Sequence, residues 1–469
     1  MDQEKQRRTE RRREQMLEGN LLKLIPTIAL PQVVIMLIDS LYNMADTYFV
    51  SRLGAAATAA VGINDSTMNL IRALAMAFGV GAASYISRLL GAGKDREASQ
   101  AASTNMFIAM GVIGVVATLS YIFLSPLMTF MGATETVKPH SMEYARWTLL
   151  FAPFTAGTVC LSQTLRGEGS THLSMIGSVS GCVINVFLDP LFIYTMNLGV
   201  AGAAIATGIS KVISFSILLF PFVTGKTVLT ISPRLFTPKK ELFLELARMG
   251  IPVGMRTSLM TIGMIIINNM AAGFGDIALA AVAVANKCMR LVGSAVMGFG
   301  QGFQPIAGYC WGAKRYDRVK KAFLFTSGLG LGISTVLGAI LAIFARQAIM
   351  IFSKDTAMID VGLILIRSQS FVLPLHVWAM ISTGLFQGTG KAVRAAIMGM
   401  SRQLIALIPC VVIMSKLFGI QGLVRAQAAA DVVSCSIAIV MVSSMIMELN
   451  RLQRGGAETE KVQTRMVKT

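Results

Sequence analysis

The chain is short of charge. Asp, Glu, Lys and Arg make up 14% of its 469 residues, while 54% are hydrophobic. A soluble domain carries about a quarter charged residues, so the apolar excess is too large for one buried core and makes lipid the solvent. Histidine is scarcer still: His140, His172 and His376 lie far apart, and no zinc-ligand spacing exists. The six cysteines, at 160, 182, 288, 310, 410 and 435, show no CxxC spacing and fall in apolar stretches. They read as small packing residues, not as disulfides or metal ligands. No Ser/His/Asp or Cys/His constellation supplies a nucleophile, and an enzyme is not expected. The stretch Gly384-Leu-Phe-Gln-Gly-Thr-Gly-Lys391-Ala392 only superficially resembles a phosphate loop. Its glycine spacing is wrong, Ala392 replaces the required Ser or Thr, and no strand precedes it.

Acidic residues are also few, 24 against 42 basic, for a net charge of +18. Nucleic acid is not the expected partner, because the basic residues cluster in the tails and in alternate loops, as the positive-inside rule predicts. With the N-terminus in the cytoplasm, the cytoplasmic loops carry Arg88, Lys94 and Arg96; Arg166; Lys226, Arg234, Lys239 and Lys240; Lys314, Arg315, Arg318, Lys320 and Lys321; and Lys391 and Arg394. Arg451 and Arg454 follow in the C-terminal tail, and external loops hold only Arg52, Lys138, Arg346, Lys354 and Lys416. The opening residues do not read as a signal peptide. Lys5, Arg7, Arg8, Arg11, Arg12 and Arg13, beside Glu10 and Glu14, read as a solvated cytoplasmic tail, with a lipid-surface contact as the alternative.

What is present in abundance is long uncharged sequence. Residues 105–128, 173–188 and 322–345 contain no charge, and about 18 such apolar residues suffice for a spanning helix. Twelve spans are expected, near 22–50, 57–87, 100–125, 142–165, 171–195, 200–224, 243–272, 277–308, 320–345, 358–385, 393–415 and 421–447. An internal repeat organises them. Leu30-Pro31 matches Ile251-Pro252, Leu53-Gly54 matches Phe274-Gly275, and Ala59-Ala60-Val61 matches Ala280-Ala281-Val282. Gly91-Ala92 matches Gly312-Ala313, and Leu165-Arg-Gly-Glu-Gly matches Phe386-Gln-Gly-Thr-Gly. The offset from Gly91 to Gly312 is 221 residues, and it slips to 220 where Gly199 and Gly202 match Gly419 and Gly422. Six spans per repeat is an even number, so the repeats are parallel and related by an axis along the membrane normal. The expected fold is an all-α polytopic membrane protein of two six-helix halves. Residues 1–21 form a basic cytoplasmic tail, 22–224 the N-lobe, 225–242 a cytoplasmic connector, 243–447 the C-lobe and 448–469 a cytoplasmic C-terminal tail.

Charged residues at membrane depth cost roughly 2.5–3.5 kcal/mol each on insertion scales and read as functional by default. The first half holds Asp46 in its first span and Asp189 in its fifth. Asn185 and Asp189 are four apart and share a helix face; Asp39, seven before Asp46, shares the Asp46 face. The offset maps Asp46 to Ile267, Asp189 to Cys410 and Asp39 to Met260. The scaffold is duplicated and these acids are not, which favours function over the plainer reading of Asp189 as a local cap beside Pro190 and Asp46 as an interfacial residue. Two carboxylates close together in low dielectric share a proton or hold a cation between them. Asn185 and Thr207 would complete an oxygen cage suited to a monovalent cation. Pro31, about four turns before Asp46, kinks a helix and suggests a bend that protonation biases. Most of the 30 methionines are lipid or packing contacts, but Met is also an adaptable binding surface. Met36 and Met260, with Asp39 and Tyr42, are the candidate substrate-cleft residues.

At these residues the sequence resembles the multidrug and toxic compound extrusion transporters, nearest their bacterial multidrug-efflux subgroup, over essentially all of residues 20–450. The matching stretches are Tyr42-Asn-Met-Ala-Asp-Thr-Tyr-Phe-Val-Ser-Arg-Leu-Gly, Gly79-Val-Gly-Ala-Ala-Ser-Tyr-Ile-Ser-Arg-Leu-Leu-Gly, Asn185-Val-Phe-Leu-Asp-Pro-Leu-Phe-Ile, Gly199-Val-Ala-Gly-Ala-Ala-Ile-Ala-Thr, Gly302-Phe-Gln-Pro-Ile-Ala-Gly-Tyr and Phe386-Gln-Gly-Thr-Gly-Lys. The resemblance implies two six-helix lobes in a V shape that alternate access. It implies a monomer in the inner membrane with both termini cytoplasmic. Its activity would be export of cationic or amphipathic organic compounds, driven by inward flow of H+ or Na+ and needing no cofactor. It makes Asp46 and Asp189 the N-lobe acids, Asn185 and Thr207 their polar partners, and Pro31 the first-span proline. The departures are Asp39 and Asp65 at expected neutral positions, Arg256 in the seventh span, Met260 where some members have a glutamate, and Cys310-Trp311 in place of Asn-Tyr. Arg256, Lys287 and Arg290 keep a lipid-linked oligosaccharide flippase of similar architecture as a rival, and a non-transporting membrane receptor or scaffold is the rival from another class.

Overall fold

The computed structural model describes residues 2–351 and 355–466. Lys354, expected in an external loop, and the last three residues of the expected C-terminal tail lie outside the described residues. Helices account for nearly all of what is described. A first helix, α1 (Asp2–Glu18), precedes α2 (Leu21–Ser51), α3 (Ala55–Gly91), α4 (Asp95–Ile122), the short α5 (Leu124–Phe130), α6 (Lys138–Leu150), α7 (Ala152–Glu168), α8 (Thr171–Pro190) and α9 (Gly199–Val223). After the connector come α10 (Lys240–Ala272), α11 (Asp276–Gly312), α12 (Tyr316–Ile343), the short α13 (Ala345–Met350), α14 (Thr356–Gly388), α15 (Ala392–Met400) and α16 (Ile408–Met466).

Among the described residues, ten helices are long and apolar enough to cross a membrane, and α6 with α7, bent by 49°, make an eleventh span. The twelfth follows from one glycine. The stretch Ala392–Arg454 is continuous, but Gly419 interrupts it with φ 58 and ψ −141, outside helical space. Glycine adopts positive φ without steric cost, so α16 turns there and the stretch divides in two. Gly199, at the matching place in the first repeat, also has positive φ, 54.

The chain divides into two compact units. The first comprises Met1–Arg12, Leu30–Leu89 and Lys94–Gly254; the second comprises Arg13–Ala29, Leu90–Gly93 and Met255–Thr469. The chain therefore passes from one unit to the other inside α2 and again inside α10, within three residues of Pro31 and Pro252. In the first unit α4 packs on α7, and α6, α7 and α8 pack on α9. In the second, α14 is central, packed by α11, α12 and α16.

The duplicated glycines earn their places by backbone contact. A Cβ on Gly167 would stand 2.8 Å from Ala83 O, and one on Gly388 would stand 2.6 Å from Gln304 O. Both the glycines and their partners are 221 residues apart. The same holds for Gly81, whose Cβ would meet Leu246 O at 2.7 Å and Gly250 N at 3.3 Å, and Gly302, whose Cβ would meet Ala29 Cα at 2.6 Å. Each unit thus closes the same helix crossings by the same omission of a side chain.

The tail and connector are docked. The expected solvated tail is helix α1, with Met16 fully buried. Lys5 bonds Thr230, Arg8 Nη1 donates to Gly225 O at 2.9 Å and Arg12 Nη2 to Ser170 Oγ at 3.2 Å. Arg13 Nη2 donates to Gly91 O at 3.3 Å, at the end of α3. Basic side chains near a helix C-terminus satisfy the last carbonyls and oppose the helix dipole, which is why these arginines settle on loop ends. In the connector, the carboxylate of buried Glu168 accepts from Val228 N at 3.1 Å and Leu229 N at 3.3 Å, and Thr104 Oγ1 accepts from Thr237 N at 3.0 Å.

Candidate functional site

The first unit gathers a polar cluster from α2, α3, α8 and α9. Asn185 and Asp189 face the same way because they are one turn apart on α8, and both are fully buried. In the amide orientation that satisfies all partners, Asn185 Nδ2 donates to Asp189 Oδ2 at 2.8 Å, and Asn185 Oδ1 accepts from Thr207 Oγ1 at 3.2 Å. The asparagine therefore ties the carboxylate of α8 to α9. Pro190, directly after Asp189, has no N–H for the helix ladder, and the chain widens there into a π-helical turn over Leu191–Thr195, a feature frequent at functional sites.

From α2, Asp46 lies within electrostatic range of Asp189. Its Oδ1 is buried and meets no hydrogen-bond donor. Asp65 and Arg72, seven apart on α3, also act on Asp46, and Tyr42 interacts with Thr207 and feels both carboxylates. Lys211, one turn beyond Thr207, stands 5.8 Å from the centre of the Tyr42 ring. Of the candidates named from sequence, Asp46, Asp189, Asn185, Thr207 and Tyr42 come together here. Asp39 is exposed; Asn43 Nδ2 donates to its carbonyl at 2.6 Å and its carboxylate at 3.4 Å. Met36 is half-buried on the same helix, and Met260 belongs to the second unit, where it lines a separate cavity. Pro31 lies inside α2, whose helix continues from Leu21 to Ser51.

Arg72 and Lys211 escape sequence reading, although each is a charge inside an expected span and is detectable by that alone. The second unit holds a further cluster that the repeat comparison misses. Asp431, nearly fully buried on α16, receives a fork from Arg402, whose Nη2 stands 3.3 Å from Oδ2. His376 Nδ1 on α14 lies 2.9 Å from Asp431 Oδ1. Arg402 sits on a π-helical stretch, Ser401–Leu407, shortly before Pro409. Beside it, Gln369 bonds Gln427, and Gln427 Nε2 reaches Asn286 Oδ1 at 3.5 Å. Each unit thus sets an ionisable cluster next to a π turn and a proline, with different residues.

The chemistry open to the first cluster is limited. Its oxygens are those of carboxylates, an amide and hydroxyls, with Arg72 and Lys211 as positive neighbours; such hard oxygens suit a proton or a small hard cation. Comparison with known proteins agrees with transport. The MatE family model matches residues 31–191 and again 252–412, two matches separated by the 221-residue offset of the repeat. Multidrug export protein MepA of Staphylococcus saprophyticus is 26% identical over 435 residues, covering 92% of this chain and 95% of that one. The protein of the same name from Staphylococcus aureus strain NCTC 8325 is 27% identical over 433 residues, covering 91% and 94%. A solved outward-facing structure of a multidrug resistance MATE family transporter of the MOP superfamily is 27% identical, with a TM-score of 0.88 over 93% of this chain and 98% of that one.

Proposed function

The chain belongs to the MatE family, and from that premise we propose that it is a multidrug exporter which moves cationic or amphipathic organic compounds outward against an inward flow of H+ or Na+. The observation that carries the coupling is the buried Asp46 Oδ1 with no donor, within electrostatic range of an Asp189 already tied to Asn185, which is itself held by Thr207. A carboxylate oxygen held out of water without a donor is costly, and a proton or a cation relieves that cost. Entry of the ion between Asp46 and Asp189 neutralises the pair. α2 then bends near Pro31, the substrate leaves outward, and loss of the ion to the cytoplasm resets the site. Tyr42, on the same helix as Asp46, supplies an aromatic face to an organic cation, with Asp39 and Met36 further along. The protein acts in this reading as a monomer in the cell membrane, with both termini in the cytoplasm and no cofactor.

The test is uptake of rhodamine 6G into proteoliposomes under an imposed proton or sodium gradient. One of the two gradients drives uptake in the wild type and names the ion. Wild-type uptake by both Asp46→Asn and Asp189→Asn would sink the proposal. The flippase reading draws its support from basic residues in the second half. Arg256 and Arg290 do share a cavity there, while Lys287 is not among its lining residues, so the pyrophosphate clamp that this reading needs lacks one of its three cations. Uptake of rhodamine without any gradient dependence would favour a different class altogether.

A further inference from the structure

The cavity in the second unit has a composition opposite to the acidic cluster of the first. It has a volume of about 250 Å³ and is lined by Arg256, Arg290, Met260, Met297, Met380 and Met398, with Arg402 and His376 on one wall. No aspartate or glutamate is among its lining residues. Asp431, which pairs with two of the lining residues, is taken by Arg402 and His376. Arg256 and Arg290 make no ion pair among the described residues, and the buried Arg256 Nε has no acceptor. Both arginines stand near the middle of their helices, α10 and α11. A Cβ on Gly399 would come within 3.3 Å of Arg256 Cδ, so the absence of a side chain there leaves room for the arginine stem.

A guanidinium at membrane depth is retained only where something answers its charge. Among the described residues, no acidic side chain pairs with these two. We infer that the cavity binds an amphipathic organic anion: a carboxylate, sulfonate or phosphate on Arg256 and Arg290, with an apolar body against the four methionines. Guanidinium forks match the planar oxygens of such acids. Thioether side chains adapt to apolar bodies of varied shape. The acid is carried either by a free organic anion or by the headgroup of an anionic lipid. This inference stands on the second unit alone and does not depend on ion coupling in the first.

The test pairs two xanthene dyes of similar shape and opposite charge, fluorescein and rhodamine 6G. Binding is read by fluorescence anisotropy on the full-length protein in phosphatidylcholine nanodiscs. Wild type should bind fluorescein, and Arg256→Gln with Arg290→Gln should weaken that binding about tenfold or more while leaving rhodamine 6G unchanged. Arg256→Lys, which keeps the charge and loses the fork, should fall between. If the double variant does not fold, Met297→Glu keeps the test intact, because a carboxylate placed in the cavity satisfies the arginines and should abolish fluorescein binding. Discs containing phosphatidylglycerol separate the two sources. A loss of fluorescein affinity there that vanishes in the double variant assigns the site to a lipid headgroup, and unchanged affinity assigns it to a free organic anion. Equal fluorescein binding by wild type and both designs, or none by the wild type in either disc, would overturn the inference. Failure of rhodamine uptake under gradients bears only on the coupling mechanism.

Discussion

In the first unit, α2 and α8 bring two carboxylates into mutual range; Asp189 is tied down by Asn185, which Thr207 holds, and Asp46 Oδ1 has no donor. In the second, the buried carboxylate of Asp431 is engaged by Arg402 and His376, and among the described residues Arg256 and Arg290 make no ion pair. The scaffold beneath is common to both: the same glycine crossings, the same offset, a π turn beside a proline. One six-helix frame therefore supports opposite electrostatics, because the buried charges sit at positions that the helix packing does not use. An unsatisfied charge is a place for a ligand; a satisfied one is a strut.

The largest expected effect tests that distinction directly. Asp46→Asn and Asp189→Asn should each lower gradient-driven uptake by about a hundredfold, the weight of one lost charge-assisted contact, with little change in melting temperature in detergent. Asp431→Asn should do the reverse in kind. Removing one partner of a buried pair leaves Arg402 uncompensated, at a cost of about 3–5 kcal/mol, read as a large drop in melting temperature. Combining Asp431→Leu with Arg402→Met should restore most of that stability. If Asp431→Asn instead abolished transport at unchanged stability, the second unit would hold a coupling site of its own and the comparison would collapse.

How much of this was legible in the sequence follows from what a single helix can reveal. Asp46 and Asp189 stand out because their flanks are apolar, and the Asn185–Asp189 spacing names its own face. The repeat is legible because close crossings demand glycine, and Gly167 and Gly388 have no freedom to drift. The Arg402–Asp431–His376 cluster is not legible, since its members come from three segments and meet only when α14 and α16 pack. Comparing acids with acids also hid it. At the local offset of 220, Asp431 corresponds to Lys211, so the repeat kept a charge and changed its sign. The tail misled for a related reason: the carbonyls that hold α1, those of Gly91 and Gly225, lie where α3 ends and just past the end of α9. Met260 looked like a partner of Met36 by composition and lies in the other unit's cavity.

A smaller effect probes the shared scaffold. Gly167→Ala and Gly388→Ala each force a methyl against a helix carbonyl, at 2.8 Å and 2.6 Å. Overpacking of this kind costs about 1–3 kcal/mol. The two losses should be similar, and the double variant should show their sum, since the sites share no partner. Unequal losses in thermal unfolding would mean that one repeat has relaxed its crossing and that the halves are less alike than their backbones.

The smallest expected effect is the most specific to the Asp46–Asp189 cluster. Thr207→Val keeps the shape of the side chain and removes the hydroxyl that Asn185 uses. A neutral hydrogen bond contributes about 1 kcal/mol, so the ion concentration for half-maximal uptake should rise about fivefold, with the maximal rate nearly unchanged. The effect should be this small because Asn185 still holds Asp189; Thr207 steadies the amide and meets Tyr42. At the corresponding position in the second unit stands Gln427, engaged with Gln369 and Asn286. Gln427→Val should leave the ion dependence where it is and lower the melting temperature. If Thr207→Val and Gln427→Val both shifted stability and neither shifted the ion dependence, Asn185 would be a packing residue like its surroundings, and the coupling reading would rest on Asp46 and Asp189 alone.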